Sequence, residues 1–389
     1  MKTLIITISF LLSLVSIACA QSTKFSNFIS EVNAQADKAK KDSLIDEFMH
    51  QHHEPFIDGT TVAFYYRGKA NLVAVPGEMN GWTPPDGRME HVHNTDFFFH
   101  EETLPINSRV EYKYWVDSAW ILDPLNPQKA MGGFGENSEV WMPDYKPVWI
   151  TYNPSIPHGR LDTLWYDSKF LKAKHPVFVY FPPDVAEPLN LPSIYVTDGG
   201  DYITLGKMTI ILDSLIHEKL IKPVVAVFVD PKTDLKDNST NARMTEYAAS
   251  DAYLDFLEKE LLPSLETKYP LSHKVKDRMV LGASMGGLIG TYAGLTRPNF
   301  VANIAAQSPA FEQADRAVVK ISESVSATGI NIFMCTGTIH DTQVEARLVR
   351  DNLLKHGAHV QYMEFPEGHN WTNWRARLPI LLQYFFAEN

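Results

Sequence analysis

The chain has 389 residues, 45% of them hydrophobic and 21% charged, enough for two or three domains around sizeable cores. Its formal net charge of −11, with no cluster of Lys and Arg, argues against a nucleic-acid partner, because phosphate binding needs a basic stripe. At the N-terminus, Met1-Lys2 precedes an apolar run over 4–18, and Ala18-Cys19-Ala20 supplies the small residues of a secretory cleavage site before Gln21. That run is shorter than a bilayer span. Residues 1–20 therefore read as a signal peptide, the mature protein as secreted or periplasmic, and no membrane span is expected. Acylation of Cys19 is the alternative, although Ser16 stands where a lipoprotein signal usually carries Leu. Cleavage leaves Cys335 as a lone thiol in the apolar run 332–335, so no disulfide is expected.

Residues 21–55 predict a helical lead-in. Phe25, Phe28, Ile29 and Val32 recur at three and four, as do Leu44, Ile45, Phe48 and Met49. His50, His52 and His53 close it as a solvated helix end, since no cysteine or carboxylate set accompanies them at ligand spacing. Over 56–146 short β runs follow, at 61–66, 71–75, 97–101 and 110–116, separated by turns such as Asn80-Gly81 and Pro84-Pro85-Asp86-Gly87. About ninety residues of this texture predict a β-sandwich domain. From residue 147 to 389 strands alternate with helices. The strands fall at 161–168, 177–181, 194–197, 224–229, 279–281, 301–306, 332–335 and 360–365, and the main helices at 253–267, 343–355 and 374–386. That alternation predicts an α/β domain on a mostly parallel sheet, with its chemistry outside the strands' carboxyl ends.

One such end carries Gly282-Ala-Ser284-Met-Gly286, a G-x-S-x-G turn between the apolar run 279–281 and a small-residue helix. The motif needs that context: a nucleophilic serine on a tight strand-to-helix turn that only flanking glycines accommodate. Downstream, the run after strand 332–335 ends in Asp341, and the run after 360–365 ends in Gly368-His369. The α/β-hydrolase order of nucleophile, acid and histidine makes Ser284, Asp341 and His369 the expected triad. Glu345, one helical turn beyond Asp341, is the competing acid. An oxyanion hole requires two backbone N–H groups. Met285, after the nucleophile, is the first candidate, and Gly200, in the loop Asp198-Gly-Gly-Asp201, is the second.

Two resemblances follow from particular residues. Gly77-Glu-Met-Asn-Gly-Trp82, Tyr112-Lys-Tyr-Trp-Val-Asp117 with Trp120, Asp123-Pro-Leu-Asn-Pro127 and Asn137-Ser-Glu-Val140 resemble the glycogen-binding, isoamylase-N-type module, an immunoglobulin-like sandwich. In carbohydrate-binding members the matching positions contact sugar, which points to Trp82, Lys113, Trp120 and Asn137. Ser118 departs from the turn Gly usual there. Packing is the competing role for both tryptophans. From Gly159 onward, Tyr195-Val-Thr-Asp-Gly199, Asn241-Ala-Arg-Met-Thr-Glu-Tyr247, Gly282-Ala-Ser-Met-Gly-Gly287 and Gly368-His-Asn-Trp371 resemble the esterases related to esterase D, enterochelin esterase and feruloyl esterase. The resemblance implies an α/β-hydrolase fold, Ser284 and His369 as catalytic, and neither metal nor cofactor. Arg243 and Glu246 are read as a salt bridge holding a loop near the site. Trp371 is read either as a wall of the acyl pocket or as a packing residue at a helix start. The expected activity is a secreted serine esterase on acylated carbohydrate, such as feruloyl or acetyl esters of plant polysaccharide. A siderophore trilactone esterase and a non-catalytic carbohydrate-binding protein are the alternatives.

Overall fold

The computed structural model describes residues 23–185 and 190–388; the expected signal segment, with Cys19, lies outside them. Helices Lys24–Ala34 and Lys38–Gln51 open the described chain, capped by the side chains of Thr23 and Asp37. The expected apolar stripe is buried through Phe25, Ile29, Val32, Ile45 and Phe48. It packs on one face of a sheet ordered Phe56–Asp58, Thr61–Arg67, Phe97–Thr103, Glu90–His91. The period of two divides that sheet's side chains cleanly. Ala63, Tyr65, Phe97 and Phe99 face the helices, whereas Val62, Phe64 and Phe98 face a second core.

That second core is closed by two three-stranded sheets. One has the order Arg109–Tyr112, Gly135–Trp141, Lys129–Gly132, and the other Val73–Ala74, Tyr114–Val116, Ala119–Ile121. The run 110–116, expected as one strand, is broken at Lys113. The Lys113 N–H donates to Pro76 O at 3.0 Å, so the residues on either side of it pair in different sheets.

We label the strands of the large sheet β1 (Arg160–Ser168), β2 (Ala173–Phe181), β3 (Ser193–Val196), β4 (Val225–Val229), β5 (Arg278–Ala283), β6 (Asn303–Gln307), β7 (Asn331–Gly337) and β8 (His359–Phe365). Their order is β1-β2-β4-β3-β5-β6-β7-β8. β2 is antiparallel to β1 and β4, and every pairing from β4 to β8 is parallel. The sheet is mixed, with its central strands buried on both faces, which is why they read as unbroken apolar runs. Val225, Val227, Val229 and Val280 enter one core, while Ala226, Phe228, Met279 and Leu281 enter the other. The helical run expected at 253–267 spans 251–266 with a π turn at Phe256–Leu261. The last helix is Trp371–Phe386, three residues longer at its start than expected, because Asn370 Oδ1 accepts from the Asn373 N–H at 2.8 Å and caps it there. Among the described residues no helix is long and apolar enough to cross a membrane.

The two halves are packed together at a specific place. Ile339, in the loop after β7, is buried in the core of the β-rich half beside Val62 and Phe64. The loop after β8 meets the same half through the Arg109 N–H, which donates to Pro366 O at 3.3 Å.

Candidate active site

Ser284 follows β5 and immediately precedes the helix Met285–Thr296, with φ 79° and ψ −112°. A non-glycine residue at such a φ is held there only by its surroundings. Here the surroundings are the end of β6: the Ser284 N–H donates to Gln307 O at 2.9 Å, and Ser284 O accepts from the Ala310 N–H at 3.0 Å. The flanking glycines are steric necessities. A Cβ on Gly282 would strike the backbone of Gly286 and Thr197 Oγ1, and one on Gly286 would strike the same Thr197 oxygen. Positive φ recurs after the neighbouring strands. Asp198, Ser284, Ser308 and His340, in the turns that follow β3, β5, β6 and β7, all have positive φ.

Ser284 Oγ lies 2.9 Å from His369 Nε2, and His369 Nδ1 lies 2.7 Å from Asp341 Oδ1. The carboxylate partner fixes the ring: hydrogen on Nδ1 and a free lone pair on Nε2. The Asp341 side chain is fully buried, while that of His369 is about one-third exposed at 35%. Asp341 Oδ1 also accepts from the Thr342 N–H at 2.8 Å, and Oδ2 accepts from Ser308 Oγ at 2.6 Å and the Gly337 N–H at 2.5 Å. Burial alone would raise its pKa. The hydrogen bonds from His369, Ser308 and Gly337 outweigh burial and hold the carboxyl below the ordinary Asp range. Glu345, the competing acid, instead pairs with Arg316 at 2.9 Å on the surface. An open cleft of about 320 Å³ beside this group is lined by His340, Asp341, Thr342, Val344, Glu345, Glu312 and His369.

The expected oxyanion donors fare differently. The Met285 N–H begins a helix, where the first amides have no intrahelical acceptor. The Gly200 N–H, by contrast, donates to Asp230 Oδ2 at 3.0 Å, and its neighbour Asp198 N–H donates to Tyr247 Oη at 2.9 Å. Gly200 thus differs from the expectation because a buried carboxylate from the end of β4 claims its amide. The Arg243–Glu246 pairing is also corrected. Arg243 Nε donates to Asp198 Oδ1 at 2.8 Å and Nη2 to Ala283 O at 3.0 Å, bracing the strand that carries Ser284. Glu246 meets His175 Nε2 at 3.0 Å. Burial, opposed by Arg243, pushes the Asp198 carboxyl up to about 6.

Trp371 is 7% exposed and stands edge-on to Tyr202 and Trp374, each at 5.1 Å between ring centroids. In the β-rich half, Trp120 is 49% exposed and sits opposite Trp115 in a hairpin. Asn137 Nδ2 donates to Glu111 Oε2 at 2.7 Å, and Lys113 is half-buried. Trp82 follows Gly81, where a Cβ would stand 3.6 Å from His340 Nδ1, so this turn borders the catalytic half. No hydrogen bond or ring contact joins Trp82, Lys113, Trp120 and Asn137 to one another among the described residues.

Ser308 was missed in the sequence. It links Asp341 to the indole of Trp374, whose Nε1–H donates to Ser308 Oγ at 2.9 Å. The only signal was a polar Gln307-Ser308-Pro309 step closing an apolar strand.

The family model described as "Putative esterase" matches residues 168–385. Uncharacterized protein YjcH of Bacillus subtilis (strain 168) is 25% identical over 235 residues, 58% of this chain and 97% of that protein. The Iron(III) enterobactin esterase of Escherichia coli (strain K12) is 28% identical over 228 residues, 56% of this chain and 55% of its own length, so only about half of that relative is spanned. The enterobactin esterase from Shigella flexneri, solved in the presence of enterobactin, has a TM-score of 0.69 at 22% identity, covering 87% of this chain and 97% of that one. A ferulic acid esterase from Anaeromyces mucronatus, solved with ferulic acid, has a TM-score of 0.50 at 16% identity, covering 60% and 93%. These two structures are alike to this one in fold. The family model spans more than half of the chain, from the end of β1 into the last helix, and so the protein belongs to the Esterase family and is a carboxylic ester hydrolase.

Proposed function

We propose that Ser284, His369 and Asp341 cleave the ester through an acyl-enzyme. The observation that carries this reading is the chain from Ser284 Oγ to His369 Nε2 at 2.9 Å and from His369 Nδ1 to Asp341 Oδ1 at 2.7 Å. His369 Nε2 takes the hydroxyl proton as Ser284 Oγ adds to the carbonyl carbon. The ester C–O bond then breaks, and the same nitrogen returns the proton to the departing alkoxide. Water, deprotonated by Nε2, attacks the acyl carbon and frees Ser284 and the carboxylic acid. Asp341 stays ionised and stabilises the imidazolium. The Met285 N–H, at the positive end of its helix, is one donor to the developing O⁻. Hydrolysis of p-nitrophenyl acetate should vanish in Ser284→Ala; an unchanged rate would remove the nucleophile.

We read this domain as an α/β-hydrolase, a reading that its mixed, mostly parallel sheet supports, and the β-rich half as an immunoglobulin-like sandwich. For the substrate, the identity to enterobactin esterases supports a siderophore trilactone. The exposed Trp120, on a module resembling glycogen-binding ones, supports an acylated polysaccharide as the second reading. Rates on a catechol trilactone, methyl ferulate and acetylated xylan separate the two. Mobility of the native protein and Trp120→Ala in a xylan-containing gel tests the glycan role; equal retardation would leave the tryptophan structural. The apolar run over 4–18 and the Ala18-Cys19-Ala20 step support export by residues 1–20, and a mature chain that keeps Met1 would overturn that.

A further inference from the structure

His369 sits on a loop whose two flanking residues are held by the other half of the molecule. Before it, Gly368 lies against the carboxylate of Glu78, so closely that a Cβ there would strike Glu78 Cδ. After it, Asn370 Nδ2 donates to Glu78 Oε1 at 2.6 Å. The second oxygen, Oε2, accepts from the Glu111 N–H at 2.9 Å, which ties the carboxylate to the strand Arg109–Tyr112. Arg109 completes the clamp: its Nη1 donates to Asn370 Oδ1 at 3.2 Å, its N–H to Pro366 O at 3.3 Å, and its Nη2 to Glu111 Oε1 at 2.8 Å. Glu367 in the same loop pairs with Arg377 and accepts from Tyr145 Oη at 3.4 Å.

Glu78 is 3% exposed and Arg109 is fully buried. Burial and the nearby Glu111 carboxylate, opposed by Arg109, push the Glu78 carboxyl up to about 8, and burying such polar and charged groups returns little net stability. What it does supply is direction, because each hydrogen bond fixes an atom in place. The acidic residue of the triad is steadied from the same side, through Ile339 in the β-rich core.

We propose that Glu78 is a positioning residue for His369: through Asn370 and Gly368 it sets where the imidazole stands relative to Ser284, making the β-rich half part of the catalytic apparatus. This rests on the reading of His369 as the general base. Displacement of a catalytic group by about 1 Å can cost about a hundredfold in rate, and loosening this clamp acts on the histidine while leaving the cleft's walls in place.

The full-length protein tests this with a polarity swap. Asn370→Asp keeps the oxygen that caps the last helix but replaces the Nδ2 donor with an acceptor facing Glu78. Glu78→Gln, added to it, restores the bond in reverse, since the glutamine amide donates to the aspartate while its oxygen still accepts from the Glu111 N–H. Asn370→Ser, which keeps a capping oxygen and offers Glu78, whose carboxyl is raised to about 8, no carboxylate to donate to, is the single variant that decides the loss of the bond. Each is measured for thermal midpoint, for kcat and KM on p-nitrophenyl acetate, and for rate of phosphonylation by a fluorophosphonate. A folded single variant should lose about ten- to a hundredfold in kcat with KM little changed, and the double variant should recover most of it. Folded single variants with native kcat would overturn the proposal. So would a double variant no better than Asn370→Asp, or a set in which every variant fails to fold, which would make the network purely structural. Ser284→Ala run alongside separates the readings: activity surviving there removes the triad itself, whereas native kcat in the Asn370 variants removes only the positioning role.

Discussion

Replacing Asp341 with Asn keeps the side chain's shape and removes its charge. The carboxylate accepts four hydrogen bonds, from His369 and the Thr342 N–H on one oxygen and from Ser308 and the Gly337 N–H on the other. An amide accepts at one end only, and each end here faces a fixed backbone donor. Wherever the NH₂ is placed it opposes an N–H. Toward His369 it also forces the ring hydrogen onto Nε2, where it can no longer take the Ser284 proton. A wrong tautomer of this kind costs about 10⁴-fold in kcat, or about 5 kcal/mol of transition-state stabilisation. Glu345→Gln removes only a part-exposed ion pair with Arg316, worth less than about 1 kcal/mol, from a side chain that lines the cleft but is not the carboxylate bonded to His369. Steady-state kinetics of both variants on p-nitrophenyl acetate, with folding checked by thermal melting, provide the comparison. A larger loss of kcat in Glu345→Gln, or a near-native kcat in Asp341→Asn, would refute this assignment of the acid.

Three further outcomes follow from the same geometry. Gly282→Ala forces a Cβ onto the Gly286 backbone, and should lower stability by roughly 1–3 kcal/mol and kcat with it; a native melting curve and rate would show that the turn tolerates a methyl group. Because the folded-state pKa of Asp341 lies below its unfolded value, its contribution to stability is complete above the ordinary Asp range and is lost as pH falls through the lowered value. The acid limb of the melting-temperature profile should therefore be shallower in Asp341→Asn, and identical limbs would contradict the linkage. Burial pushes the Cys335 thiol up to about 12, so native protein should resist iodoacetamide at neutral pH and react only on unfolding; rapid native labelling would contradict its burial.

The sheet was legible where burial is symmetric. Runs such as Val280-Leu281 and Val225 to Val229 are apolar on both faces, and no other placement suits them. The G-x-S-x-G turn was legible because its glycines answer a local steric demand. Asp341 and His369 could be named from chain order, although their meeting depends on three separate strand ends. Contacts whose partners lie far apart in sequence were not legible. Ser308 beneath Asp341, Arg243 turning to Asp198 rather than Glu246, and Asp230 claiming the Gly200 amide are all choices between equally polar residues that only packing decides. The break at Lys113 was hidden for a related reason, since alternation continues through it while the strands on either side change partners. The clamp on the His369 loop was least visible of all, because Glu78 and Asn370 are 292 residues apart.

The proposed mechanism stands on a covalent bond between Ser284 and the acyl group. Its most direct test is to treat the native protein with a fluorophosphonate, digest it, and locate the added mass. One adduct per chain is expected, on the oxygen of Ser284, absent in Ser284→Ala and formed far more slowly in His369→Ala. An adduct on another residue, or full esterase activity in protein whose Ser284 is entirely modified, would contradict it.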